Sequence, residues 1–185
     1  MPPSVRVTFR ALEGSQVEEI WRRQNGECRH DLSGALDHDP PWAPMSLEQV
    51  RSKLEERGKK ERAALLTVWS SEESFVGVGA YDADWDPACP HLLLLIWPEY
   101  RRRGYGTAAA RLLLESCFRE TLAHVVGAYV PDFSREGLAF AESLGFQRAG
   151  VERRAGMKDG RFFDGVFLDL LRREYEGHRE SRKGA

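Results

Sequence analysis

The stretch Leu92-Leu-Leu-Leu-Ile-Trp-Pro-Glu-Tyr-Arg-Arg-Arg-Gly-Tyr-Gly-Thr107 brings together the residue types best suited to chemistry in this chain. Leu92 to Trp97 are uninterruptedly apolar and read as a buried strand, and a helix rich in Ala and Leu is expected from Thr107 to Glu120. Pro98 has no amide hydrogen to give a sheet, so pairing should fail there and free backbone groups for a ligand. Gly104 and Gly106 let a ligand come close to the main chain with no side chain in the way. The first amide hydrogens of the helix lack a carbonyl one turn back and carry the positive end of its dipole. With the guanidinium groups of Arg101, Arg102 and Arg103 beside them, these donors make a site for an anion such as a pyrophosphate.

The elements that must position this loop can be read from periodicity. Val5, Val7 and Phe9 alternate with polar neighbours as a strand with one buried face does. Ser15 and Glu18 have capping-box spacing and open a short helix with Val17, Ile20 and Trp21 inward, stopped by Asn25-Gly26. Cys28 to Pro44 is acidic and proline-rich at its end, which excludes regular helix there. Ser46 and Gln49 form a second capping box on a helix ending near Gly58. Ala63–Trp69 and Phe75–Tyr81 read as a hairpin, His91–Trp97 as a strand covered on both faces, and His124–Val130 as another strand. Gly137–Leu144 reads as a short helix capped by Gly145 in the left-handed conformation, with Phe146 folding back on it. Phe146–Arg154 and Phe162–Leu171 read as a terminal hairpin turning at Asp159-Gly160. The order β-α-α-β-β-β-α-β-α-β-β implies an α/β (α+β) fold with a mixed sheet and helices on both faces. One domain is expected over residues 1–174, with a polar tail, 175–185, that frays.

Composition narrows the class. Of the 185 residues 42% are apolar, enough for a sizeable core. The longest apolar run has six residues, Leu92 to Trp97, far below the ~20 that cross a bilayer, and MPPSVRVTFRALEG does not resemble a signal peptide. A cytoplasmic protein with no membrane partner is expected. Net charge is −2, which gives no pull toward nucleic acid. It is split, however: residues 1–100 carry 11 basic and 17 acidic side chains, and the remainder 16 and 12. A basic half that could hold a polyanion adjoins an acidic half that could hold a cation. Cys28, Cys89 and Cys117 are widely spaced and odd in number, with no metal-site spacing. No metal is expected.

Three anion loops can be compared with Arg101 to Ala109. A P-loop requires a lysine that is absent here. The dinucleotide turn G-x-G-x-x-A matches Gly104 to Ala109 in form, but Pro98 to Arg103 separates it from the strand and no acid lies ~20 residues on. The acyl-CoA loop, R/Q-x-x-G-x-G/A between a strand and a helix, fits Arg101-Arg102-Arg103-Gly104-Tyr105-Gly106. With that loop in PEYRRRGYGT, the later FAESLGFQRAG and the closing KDGRFFDGVFLDLL, the chain resembles the GNAT superfamily of acyl-CoA-dependent N-acyltransferases. The likeness is greatest to the branch with ribosomal-protein N-terminal and small-amine acetyltransferases.

The resemblance implies acetyl-CoA as acyl donor and a splayed central sheet with the acyl group in the gap. Its pyrophosphate would rest on the amides of Arg102, Arg103, Gly104, Tyr105, Gly106 and Thr107, after Arg101. Its pantetheine arm would pair with the backbone of Leu95, Ile96 and Trp97, and the amide near Ile96 would polarise the thioester. Ser134 stands where the family often has Asn, and Ala141 where it often has a Tyr that protonates the leaving thiolate; Phe140 beside it would pack on CoA or the core. Where many relatives carry a Glu, this chain has Cys89-Pro90-His91, so His91 is the candidate general base. Asp82, Asp84 and Asp86 are alternative bases, or hold a cationic acceptor. The acceptor implied is a small amine or a peptide N-terminus, attacked directly in a ternary complex, and exposed apolar patches could support a homodimer. A CoA-binding sensor or interaction module without catalysis is the alternative, since both the Tyr and the Glu are missing.

Overall fold

The computed structural model describes residues 5–29, 44–83 and 86–183. Its elements run β1 (Val7–Ala11), α1 (Gly14–Gln24), α2 (Leu47–Gly58), β2 (Ala63–Ser70), β3 (Phe75–Asp82), β4 (His91–Ile96), a 3-10 turn (Pro98–Tyr100), α3 (Tyr105–Glu120), β5 (Val125–Pro131), α4 (Arg135–Leu144), β6 (Gln147–Lys158), β7 (Arg161–Leu171) and α5 (Arg172–Lys183). The strand order is β1-β2-β3-β4-β5-β7-β6. The β4–β5 pair is parallel and the β1–β2, β2–β3, β5–β7 and β6–β7 pairs are antiparallel, so the sheet is mixed, as the element order implies. Most of the Cys28 to Pro44 stretch lies outside the described residues.

The chain divides into two compact units, which share β4 and α3. The first comprises the residues up to 83 with Leu93–Leu113. Here Val17 and Ile20 of α1 and Val50 and Leu54 of α2 pack with Val78, Leu95 and Trp97. A second cluster joins Val7, Val68, Val76 and Ile96 to Ala109 of α3. Leu95 and Trp97 thus enter one layer and Ile96 the other, which is why Leu92 to Trp97 has no polar alternation. The second unit comprises the residues from 86 to Leu92 and from Leu114 onward. Val126 of β5 and Val166, Leu168 and Leu170 of β7 are buried there, with Leu138, Ala141 and Leu144 of α4.

Several local signals land where the sequence puts them. Ser46 caps α2: its Oγ accepts the Gln49 amide hydrogen at 3.1 Å, and Gln49 Oε1 accepts that of Ser46 at 2.7 Å. Gly145 ends α4 at φ +103°, and the Phe146 amide reaches back to the Ala141 carbonyl at 3.2 Å while its ring is buried. Asp159 and Gly160 both take positive φ in the β6–β7 turn. Three details differ. The first helix starts at Gly14, with its reciprocal cap on Glu13 and Gln16 instead of Ser15 and Glu18, because the Gln16 carboxamide reaches the Glu13 amide at 3.0 Å. The third starts at Tyr105, two residues before Thr107. The polar tail continues the chain as α5, where the Phe118 and Tyr175 rings stack at 4.8 Å.

The Ser46 cap satisfies amide hydrogens that α2 cannot satisfy internally. Ser46→Ala is therefore expected to lower stability by about 1 kcal/mol, read as a shift of the urea midpoint with unchanged slope.

Candidate functional site

Within the first unit, the end of β4, the 3-10 turn and the start of α3 follow one another directly and carry the expected anion loop. The earliest intrahelical bond recorded in α3 runs from the Ala108 amide to the Gly104 carbonyl, at 3.0 Å. The amides of Gly104, Tyr105, Gly106 and Thr107 therefore precede the helical ladder and have no carbonyl one turn back. Gly106 is consequently part of the first helical turn, not of the loop. The approach to that turn is sharply bent. Arg102 sits at φ +61° and Gly104 at φ +89°, both in the left-handed region. A non-glycine residue there carries strain of the order of 1–2 kcal/mol, so the surroundings must impose the conformation at Arg102. At Gly104 a side chain would also meet Val5 Cγ2, 3.2 Å from where its Cβ would stand.

The β4 backbone sorts the three residues expected along a ligand arm. The Trp97 amide donates to the Val76 carbonyl of β3 at 2.9 Å, and the Leu95 carbonyl lies against Gly77 of β3. Alternation then turns the backbone groups of Ile96 away from β3. The Ile96 carbonyl accepts from Arg101 Nε at 2.9 Å, which leaves its amide hydrogen as the donor on that side. The Trp97 ring is fully buried, so Trp97 serves the core. Arg101 is turned back onto the strand that precedes it. Arg103 lies over the Tyr100 ring, 5.8 Å from Cζ to centroid, and Tyr100 meets the Tyr105 ring edge to face at 6.1 Å. Arg102, Arg103 and Gly104 are exposed, within reach of a ligand.

His91 begins β4, at the other end from Ile96. Five steps of extended chain separate the two, about 17 Å. In the second unit His91 pairs with Gly127, and its imidazole lies over that glycine, with Nε2 2.9 Å from where a Cβ would be. Ser134 is the N-cap residue of α4, half-buried, and its side chain makes no capping bond. Phe140 is half-buried on the same helix, and the next residue, Ala141, is buried.

The candidate acids already have local partners. The Asp82 carboxylate stands 3.3 Å from Lys60 Nζ and 3.9 Å from a guanidinium nitrogen of the buried Arg57. Asp86 accepts the Ala88 amide hydrogen at 2.8 Å. Asp84 lies outside the described residues. Burial, and then the charges of Asp86 and Asp169, push the Cys89 thiol up, the reverse of what a nucleophilic cysteine needs. No group of His, Cys, Asp and Glu that could hold a metal ion occurs among the described residues.

Two features escape the sequence reading. Tyr129 of β5 donates its hydroxyl to Glu152 at 3.2 Å, and burial followed by the Glu152 charge pushes its pKa up to about 12. Its only signal in the sequence is a polar-capable ring inside an apolar strand. Arg23 of α1 pairs with Glu99 at 2.6 Å, across 76 residues, which no local pattern reveals.

A family model described as Acetyltransferase (GNAT) domain matches residues 6–147. An uncharacterized, SPbeta prophage-derived N-acetyltransferase, YokL, from Bacillus subtilis is 25% identical over 134 residues, which cover 72% of this chain and 75% of that protein. Among solved structures, spermidine N-acetyltransferase from Vibrio cholerae in complex with CoA and spermine superposes with a TM-score of 0.79 at 17% identity, covering 92% of this chain and 98% of the other. Spermidine/spermine N-acetyltransferase SpeG from the same organism, in complex with manganese ions, gives 0.74 at 16% identity over 94% and 96%. No helix among the described residues is long and apolar enough to cross a membrane.

The backbone at Gly104 supplies the strictest test of the loop. Gly104→Val forces a branched side chain into a left-handed position and against Val5. Calorimetric titration with CoA is expected to show at least a tenfold loss of affinity in a variant that remains folded.

Proposed function

Because the chain belongs to the GNAT acetyltransferase family, we propose that it transfers the acetyl group of acetyl-CoA by direct attack of a primary amine in a ternary complex, the acceptor being a small cationic amine or a peptide N-terminus. Family membership makes it an acetyl-CoA-dependent N-acetyltransferase. The observation that carries the donor half of this reading is the row of unladdered amides from Gly104 to Thr107, next to an Ile96 amide turned away from β3.

Each residue then has a defined task. The amides of Gly104, Tyr105, Gly106 and Thr107 hold the pyrophosphate, and Arg102 and Arg103 add charge-assisted contacts to phosphate. Ile96 offers its amide hydrogen to a carbonyl oxygen lying along β4. Arg101 bonds the Ile96 carbonyl and so fixes the orientation of the following peptide, between Ile96 and Trp97. When bound, acetyl-CoA supplies the thioester from which the acetyl group leaves. On α4, Ser134 is the candidate hydrogen-bonding side chain and Phe140 the candidate packing surface. The complex of a structural neighbour with spermine supports an acceptor bearing several cationic nitrogens. Asp82 does not serve that acceptor directly, since Lys60 and Arg57 already neutralise it. The span of β4 puts direct proton transfer from an amine near Ile96 to His91 out of reach.

Thiol release from acetyl-CoA across a panel of diamines, polyamines and peptides is expected to show saturable turnover with at least one cationic primary amine. CoA binding without turnover on any amine would instead support the sensor module. His91→Ala is expected to keep kcat within about threefold; a loss of a hundredfold, the lower end for a lost general base, would restore His91 to the chemistry.

A further inference from the structure

Arg23 lies in the last turn of α1 and is mostly buried, with 13% of its side chain exposed. Four bonds surround its guanidinium. Nε donates to Glu19 at 2.7 Å, Nη1 to Glu27 at 3.1 Å and to Glu99 Oε2 at 3.2 Å, and Nη2 to Glu99 Oε1 at 2.6 Å. Glu19 and Glu27 lie one turn either side of Arg23, so those two contacts are local. The contact with Glu99 is a two-point fork across the fold, the strong form of a guanidinium–carboxylate pair. The same guanidinium lies over the Trp97 ring, 4.5 Å from Cζ to centroid. Arg23 therefore grips the two residues flanking Pro98, where the chain leaves the strand.

The acetyl-CoA loop comes directly after that grip. Three further bonds shape the turn between them: the Tyr100 amide to the Trp97 carbonyl at 2.9 Å, the Arg101 amide to the Pro98 carbonyl at 3.2 Å, and Arg101 Nε to the Ile96 carbonyl. All three are internal to residues 96–101, so they do not by themselves anchor the turn to the body of the unit. Left-handed backbone at Arg102 and Gly104 comes next and must be held by its surroundings. We infer that Arg23 is a positioning residue for acetyl-CoA binding: it anchors the β4-to-α3 turn and neutralises the Glu99 carboxylate beside the phosphate site.

The second half of that role is electrostatic. Glu99 stands three and four residues before Arg102 and Arg103, the arginines given to the phosphates. The Arg23 hydrogen bond holds the Glu99 carboxyl below the usual carboxylate range, with Arg101 contributing further. Burial alone would lower the Arg23 pKa, but its bonds to Glu99 and Glu19 outweigh that, so the guanidinium stays charged. Without Arg23 the Glu99 charge loses its two-point partner and can compete with a phosphate for Arg102 and Arg103.

This inference rests on residues 101–107 being the acetyl-CoA loop, and the test separates the two. Acetyl-CoA affinity by calorimetry, steady-state KM and kcat, and Tm are measured for the native chain, Arg23→Met, Arg23→Lys and Arg23→Met/Glu99→Gln. Arg23→Met is expected to raise Kd and KM for acetyl-CoA about tenfold while kcat at saturation stays within twofold. Glu99→Gln in that background removes the stranded charge and is expected to recover at least threefold of the affinity, which a purely structural role would not do. Arg23→Lys keeps the charge without the fork and is expected to lose about threefold; it carries the test should Arg23→Met not fold. Unchanged Kd in folded Arg23 variants, or a loss that Glu99→Gln leaves untouched, overturns the inference. Absence of binding by the native chain overturns the loop reading instead.

Discussion

A peptide group that enters a helix from outside has nowhere to donate its hydrogen, and this chain places four such groups in succession at an exposed glycine turn. Their usefulness depends on direction. Amides that point at one small volume bind a diphosphate; the same amides splayed by a softer turn bind water. The turn from Pro98 to Gly104 is therefore the constraint to which the first unit is built. Arg101 ties its start to the Ile96 carbonyl, Arg23 ties its middle to α1, and left-handed backbone at Arg102 and Gly104 sets its end. Charge-assisted bonds of this kind contribute roughly 1.5–3 kcal/mol each, enough to offset strain of about 1–2 kcal/mol at Arg102.

The core around β4 serves the same end. Leu95 and Trp97 are locked under α1 and α2, while Ile96 packs toward α3. A strand held on both faces cannot rotate, so the Ile96 peptide keeps one orientation. The strand thereby divides its labour. The side chains of Leu95, Ile96 and Trp97 go into packing, while the Ile96 amide hydrogen faces away from β3. Trp97 illustrates the division well: its ring fills the core and supports a guanidinium, and its amide holds β3.

The legible part of the fold was the part written in local chemistry. Ser46 with Gln49, Gly145 with Phe146, and Asp159-Gly160 each involve neighbours in sequence, and each takes the predicted form. The strand-turn-helix setting of RRRGYGT was legible for the same reason, because it is written in adjacent residues. The helix beginning two residues earlier, at Tyr105, comes from the Ala108-to-Gly104 bond, which the glycines masked in the sequence. The Glu13–Gln16 cap stands in place of Ser15–Glu18 because two capping frames overlap in the sequence and spacing alone does not choose between them. Arg23 and Glu99 were illegible in principle, since each looks like an ordinary surface charge until the fold brings them within 2.6 Å. Asp82 is the converse case: its ion pairs with Lys60 and Arg57 join distant residues and cannot be read from spacing.

The site is thus rich in groups that hold and poor in groups that exchange protons. Ala141 stands where a tyrosine would protonate the leaving thiolate, and His91 is a strand's length from Ile96. Magnitudes decide how far this matters. General acid or base catalysis contributes a factor of about 10² to 10⁴, roughly 3–5 kcal/mol. Holding two reactants in line can contribute about 7–11 kcal/mol, and one well-aimed backbone donor to a developing negative charge about 3–4 kcal/mol. A thiolate is a good leaving group and needs little help to depart, and an amine can lose its proton to water before it attacks. In the proposed mechanism, transfer of an acyl group from sulfur to nitrogen therefore runs on orientation and on the Ile96 amide. What such an enzyme cannot dispense with is the geometry of the turn that feeds α3, and its side chains are spent there.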